Sequence, residues 1–177
     1  MAKLKLLLHT CCAPCSAFLV KQLAKTYAVT VYFTNDNIDS QIEYDLRLKE
    51  ARKYFVGQGT DFISADYRHA DWLEFIRGLE AEPEKGRRCN LCYAYRLKDT
   101  AKYAKRHGYD LFASTLSISP HKLADQINQI GMELEDELGV KFLAGDFKKQ
   151  DGFKNAMAMA KQYGFYRQNY CGCEFSR

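Results

Sequence analysis

Five short apolar runs, each separated from the next by a longer stretch with helical spacing, set the fold this chain can adopt. Leu4 to His9, Val29 to Phe33, Asp61 to Ser64, Tyr109 to Ser114 and Val140 to Ala144 read as strands. A helix opens at Pro14 and runs to Tyr27, and the capping-box pattern Ser40-Gln41-Ile42-Glu43 starts a second that reaches about Val56, ahead of Gly57 and Gly59. Ala70 to Leu79, a segment holding Cys89 and Cys92 that stops at Gly108, Leu123 to Leu138 and Asn155 to Tyr163 complete the helices. Strands that alternate with helices pair in parallel, so the pattern implies an α/β chain: one domain over residues 1–177 with a five-stranded, parallel, doubly wound sheet. Sites in such sheets lie beyond the carboxyl ends of the strands, at a topological switch point. The turn after the first strand, Thr10-Cys11-Cys12-Ala13-Pro14-Cys15, is expected there.

A chain of 177 residues with 47% apolar and 27% charged side chains is too apolar for a disordered segment. Its longest apolar stretches fall far short of the roughly 20 residues of a membrane helix. The opening Leu4-Lys5-Leu6-Leu7-Leu8 resembles the core of an export signal but is shorter than the roughly 7 to 15 residues such a core needs. The expectation is a cytoplasmic chain. A formal net charge of +4 permits an anionic partner without demanding one.

Seven cysteines fall in three tight clusters, Cys11/Cys12/Cys15, Cys89/Cys92 and Cys171/Cys173. An odd number argues against a structural disulfide framework, and clustered thiols in a reducing compartment bind metal or do redox chemistry. Thiolates select zinc, copper(I) or iron–sulfur clusters. Cys89 and Cys92 share one face at the start of a helix, where the helix dipole, Arg87 and Arg88 favour thiolate. A tetrahedral zinc or a 4Fe-4S cluster takes four thiolates and leaves three, enough for a second metal or a thiol–disulfide pair. Adjacent side chains tend to diverge, so Cys11 and Cys12 are candidates for different centres. A Cys171–Cys173 disulfide across one glycine would be strained and labile.

Other candidates are weaker. His121, after Ser119-Pro120, can reach the site from the end of the fourth strand, and Asp36 and Asp66 at strand ends are candidate ligands or proton donors, though such carboxylates more often cap. Lys148, Lys149, Lys154 and Arg167 lie near Tyr163, Tyr166 and Tyr170, a combination suited to a nucleic-acid backbone and its bases, or simply to a solvated helix face.

Four segments together resemble the QueH family of cobalamin-independent epoxyqueuosine reductases: Leu8-His9-Thr10-Cys11-Cys12-Ala13-Pro14-Cys15, Arg88-Cys89-Asn90-Leu91-Cys92-Tyr93-Ala94-Tyr95-Arg96-Leu97, Thr115-Leu116-Ser117-Ile118-Ser119-Pro120-His121-Lys122 and Tyr166-Arg167-Gln168-Asn169-Tyr170-Cys171-Gly172-Cys173. The resemblance runs from about Leu4 to Ser176. It implies two-electron reduction of epoxyqueuosine to queuosine at the wobble position of tRNA, the last step of queuosine biosynthesis. It also implies a sheet like that of the adenine-nucleotide α-hydrolase and PP-loop (HUP-like) proteins, although cysteines stand here where a glycine-rich phosphate loop would be. A 4Fe-4S cluster on Cys11, Cys12, Cys89 and Cys92 is implied, with Cys171 and Cys173 as a redox-active pair or as part of a neighbouring mononuclear iron site. Some members carry Asp at the position of Cys15, which makes Cys15 a candidate ligand of that second iron. Relatives commonly carry Pro at the position of Asp36. The favoured mechanism lets an open iron position act as a Lewis acid on the epoxide, with Asp66, His121 or a thiol as proton donor; electron relay through Cys171 and Cys173 is the alternative. The expected partners are the tRNA, held by Arg87, Arg88, Arg96, Lys148, Lys149, Lys154 and Arg167, and a low-potential donor such as ferredoxin or flavodoxin. A zinc-stabilised RNA-binding module and a cluster-dependent tRNA sulfur transferase are the competing readings.

Overall fold

The computed structural model describes residues 2–176. Five parallel strands lie in the order β3-β2-β1-β4-β5, with β1 Lys5–Thr10, β2 Ala28–Phe33, β3 Asp61–Ser64, β4 Leu111–Ser114 and β5 Lys141–Phe142. The chain builds outward from β1 to β3, then returns to the other side of β1 for β4 and β5. β1 is therefore central and covered on both faces, which is why it reads as an unbroken apolar run with Leu6, Leu7 and Leu8 all fully buried.

Strand alternation divides those leucines between two cores. Leu6 and Leu8 join Val31, Phe33, Tyr44, Ala51 and Phe55 under α1 (Ala13–Leu23) and α2 (Gln41–Gly57). Leu7 joins Phe112, Leu97, Ala101, Ile127 and Leu134 under α4 (Arg87–Arg106) and α5 (Ala124–Leu138). The short α3 (His69–Phe75) packs on α4, and α6 (Gly152–Tyr163) packs on α1. No helix among the described residues is long and apolar enough to cross a membrane.

The helix signals work with local exceptions. Ser40 Oγ accepts from the Glu43 N–H at 3.2 Å, the first half of the capping box. The Glu43 carboxylate does not fold back; it takes Arg47 Nε at 2.6 Å and the Tyr166 hydroxyl at 3.1 Å, because the tail supplies better donors. α3 stops at Phe75 rather than Leu79, ahead of Gly78 at φ +84°. α1 stops at Leu23, short of Tyr27, and α6 begins at Gly152, ahead of Asn155. β5 is two residues rather than five: Lys141 pairs with Leu111 and Phe142 with Phe112 at this edge of the sheet. A 3-10 turn at Thr115–Ile118, absent from the sequence reading, follows β4, with Ser114 Oγ accepting from the Leu116 N–H.

Candidate functional site

β1 and β4 are neighbours whose following segments part, β1 into α1 and β4 into the 3-10 turn, so the switch point opens above their carboxyl ends. A cavity of about 410 Å³ lies there. Cys11 and Cys15 enter it from the first turn, Cys89 and Cys92 from the start of α4, and Cys171 and Cys173 from the tail. The seventh thiol, Cys12, is buried beside them. All three clusters of the sequence thus meet in one place, and all seven cysteines are free thiols.

The Sγ atoms of Cys11, Cys12 and Cys15 lie within 4.8 Å of one another. Cys11 and Cys12, the latter extended at the head of α1, are only 3.7 Å apart at sulfur, against the divergence expected of adjacent residues. Hydrogen bonding from Cys12 and Cys15 holds the Cys11 thiol well below its ordinary range, against the opposing effect of burial, with Lys122 and Arg96 adding positive charge. The same bonds, seen from the donors, push Cys12 up to about 12 and Cys15 well up, with burial acting in the same direction. Within the trio, Cys11 is the sulfur whose ionised form is favoured. Gln168 Nε2 donates to Cys12 Sγ at 3.3 Å and ties the tail to this group.

The α4 pair corrects an expectation. Burial raises the Cys89 thiol and outweighs the Lys85 N–H, which donates to its Sγ at 3.3 Å, and the Arg88 charge; burial likewise pushes Cys92 to about 11. Arg88 is turned inward, donating to the Glu80 carbonyl at 2.8 Å, to the Glu82 carbonyl and to the Phe175 carbonyl, with its guanidinium over the Phe175 ring. It clamps the tail to the loop before α4. Cys92 packs against Trp72, Ile76 and Cys173, whose thiol burial raises to about 12.

Behind the trio, buried polar groups fix the turn. Asn35 Nδ2 donates to the Thr10 carbonyl at 2.9 Å, and Arg96 donates to Asn35 Oδ1 at 2.5 Å. His9 bridges Ser114 Oγ (Nδ1, 2.8 Å) and the Thr34 carbonyl (Nε2, 3.1 Å). A carbonyl only accepts, so Nε2 carries the proton and Nδ1 accepts from Ser114. The CxC tail is held by Arg47, whose Nη1 donates to the Cys171 carbonyl at 3.2 Å, and by the Asp39 N–H, which donates to the Gly172 carbonyl at 2.8 Å.

The remaining sequence candidates separate by position. His121 is exposed and lines the cavity, as does Arg167. Asp66 is exposed and does not line it. Asp36 is fully buried but faces away, accepting from the Arg68 N–H at 2.8 Å, and burial raises its carboxyl. Arg87 and Lys154 are exposed outside the lining, while Lys148 and Lys149 pair with Asp146 at 2.7 and 3.6 Å. Arg96 is buried and lines the inner wall. Sequence reasoning passed over Trp72, Tyr93, Gln168 and Lys122, all of which line the cavity. The one signal for Lys122 was its place in the segment after β4.

A five-stranded parallel sheet of this order, with a thiol-lined cavity at its switch point, defines a doubly wound α/β protein. Solved structures agree on the fold: a predicted tRNA methyltransferase subunit of Methanocaldococcus jannaschii aligns with TM-score 0.61 at 13% identity, covering 90% of this chain and 76% of that one. The U34-tRNA thiolase NcsA of Methanococcus maripaludis, solved with its 4Fe-4S cluster, aligns with TM-score 0.62 at 13% identity, over 100% of this chain and 62% of that one. The family model described as epoxyqueuosine reductase QueH matches residues 6–177. Proteins of that name are 40% identical in Streptococcus pyogenes (97% of this chain, 69% of that one) and 36% identical in Dehalococcoides mccartyi (97% and 92%). The chain belongs to the QueH family of epoxyqueuosine reductases, and is an oxidoreductase.

Proposed function

We propose that the thiol-lined cavity is where this chain reduces epoxyqueuosine at the wobble position of tRNA to queuosine and water, using two electrons, two protons and a resident iron–sulfur centre. The observation that carries the reading is the convergence of six cysteines on one cavity, with the seventh sulfur 3.7 Å from Cys11. Soft donors in excess of four fit a 4Fe-4S cluster plus a further iron, and the sulfurs of Cys11, Cys12 and Cys15 already lie within 4.8 Å of one another. Cys11, Cys12, Cys89 and Cys92 would hold the cluster; Cys15, Cys171 and Cys173 would hold the mononuclear iron, or Cys171 and Cys173 would cycle as a redox pair. Bound there, the cluster supplies electrons one at a time.

The chain's own residues supply the rest. Gln168, Arg47 and Arg88 fix the tail against the cavity, so that Cys171 and Cys173 stay in register with the other thiols. Trp72 and Tyr93 give the apolar and aromatic wall on which an extruded base can stack. Arg167, Lys85 and His121 surround the exposed side of the lining, where a tRNA backbone would pass. The electron donor is of the ferredoxin or flavodoxin class, and the reducing cytoplasm keeps the thiols available.

The test is a visible spectrum of anaerobically purified protein with iron, acid-labile sulfide and zinc counted on the same sample, followed by reduction of epoxyqueuosine-containing tRNA. The expected protein is brown, with four sulfides and more than four irons per chain by the donor count above. Cys89→Ala should lose both colour and turnover. A colourless protein carrying stoichiometric zinc after attempted reconstitution would falsify the reading in favour of a zinc-stabilised RNA-binding module.

A further inference from the structure

Removing the epoxide oxygen as water takes two protons, and the oxygen gathers negative charge as its bonds to carbon open. The carboxylates of the sequence reading are in the wrong place for this: Asp66 does not line the cavity and Asp36 turns to Arg68. His121 stands exposed. Of the two lysines that line the cavity, Lys85 is exposed at its rim, whereas Lys122 is half-buried. It lines the cavity with Cys11, Cys15 and Cys171, and it gets there by a rigid route: β4 runs straight into the fully buried turn Thr115–Ile118, and the Lys122 N–H is tied to the Ser119 carbonyl at 3.2 Å.

Its electrostatic setting is unusual for a lysine. The side chain is half-buried, yet among the described residues no carboxylate pairs with it. Across the cavity it faces Cys11, Cys15, Cys171 and the Tyr93 phenol, groups that favour its charged form against burial. A partly desolvated ammonium without a carboxylate partner is costly unless something polar in the cavity receives its donors. The guest that the cavity is built for carries such an acceptor.

We propose that Lys122 is a catalytic residue, donating a hydrogen bond to the epoxide oxygen of the bound substrate and handing that oxygen a proton as the C–O bond opens. This rests on the epoxide-reduction reading above. In balance, two electrons from the low-potential donor protein and two protons enter, both C–O bonds break, a C=C bond forms and the oxygen leaves as water. Lys122 gives one of the two protons, becomes a neutral amine and is reprotonated by solvent; solvent gives the second.

The experiment compares equilibrium binding of two tRNAs, one carrying epoxyqueuosine and one carrying queuosine, without reductant, to the wild type, Lys122→Met, Lys122→Arg and Tyr93→Phe. Single-turnover reduction is then measured with the donor present. The wild type should bind the epoxide-bearing tRNA about tenfold more tightly, the effect of one charge-assisted hydrogen bond. Lys122→Met should abolish the difference by weakening only that tRNA, and should slow single turnover by about a hundredfold or more. Lys122→Arg should keep much of the binding difference while remaining slow, because the bulkier planar guanidinium cannot place its donor where the compact ammonium does. Three results overturn the proposal: an unchanged binding ratio in Lys122→Met, equal weakening of both tRNAs, or loss of the ratio in Tyr93→Phe instead. A wild type that reduces epoxyqueuosine at a rate Lys122→Met matches rejects Lys122 alone. A wild type with bound iron and donor that reduces none rejects the parent reading.

Discussion

His9 is completely buried, and its two ring nitrogens are committed to Ser114 and the Thr34 carbonyl. Burial, reinforced by the Arg96 charge, pushes its pKa from 6.5 down to about 3. Between those values the unfolded chain binds a proton that the folded chain refuses, so stability falls as the pH falls through that window and is unaffected by this group above it. The expected slope from this group is up to about 1.4 kcal/mol per pH unit. Denaturant unfolding at neutral and mildly acidic pH should show a smaller acid loss in His9→Gln, which keeps an acceptor and a donor but cannot charge; an identical acid loss would reject the assignment. Gly172 makes a second residue-scale test. It sits at φ +112°, and an added Cβ would lie 3.1 Å from both Arg47 and Ile38. Gly172→Ala should introduce about 1–3 kcal/mol of strain into the segment between Cys171 and Cys173. Turnover should fall much further than the melting temperature, and unchanged turnover would separate this segment from the chemistry.

At the scale of elements, packing decided what spacing left open. The face of α5 that carries Gly131 lies so close to Phe142 of β5 that a Cβ at Gly131 would overlap the ring. Gly131→Ala, favourable by helix propensity, is therefore expected to destabilise the protein by about 1–3 kcal/mol through overpacking. Thermal unfolding measures this, and a gain in stability would mean that the ring swings aside freely. β5 was legible as a strand but not in its length: Lys141 and Phe142 pair with β4, and the last bond to that strand runs from the Leu143 N–H to the Phe112 carbonyl at 2.9 Å. The start of α4 was legible from Gly86 and the thiol spacing, but its effect on Cys89 was not. Burial there opposes the Lys85 N–H and the Arg88 charge, and only the depth of the thiol decides which is larger.

For the whole molecule, the distribution of positive charge sets how a polyanion can approach. Arg167 lines the cavity without an ion-pair partner among the described residues, while Lys148 and Lys149 share Asp146. Arg167→Ala should weaken tRNA binding and reduce the slope of log affinity against log salt by about one. Lys148→Ala with Lys149→Ala should have the smaller effect per charge removed, since Asp146 already screens them. Filter binding over a salt series separates the two, and the reverse ranking would move the tRNA path onto the α6 side.

The sequence alone determined the alternation of strand and helix, hence the parallel sheet and the switch-point turn, because those depend on local apolar period and on which residues can start or end a helix. It also pointed away from a structural disulfide framework, since seven cysteines in three clusters do not pair evenly, and all seven are free thiols. Only the tertiary structure decided that the three clusters share one cavity, that Cys15 stands with Cys11 and Cys12, that Arg88 and Arg96 are internal braces, and that Lys122 faces the thiols. Those facts depend on contacts between residues tens of positions apart and on depth below the surface. Neither is written in local spacing.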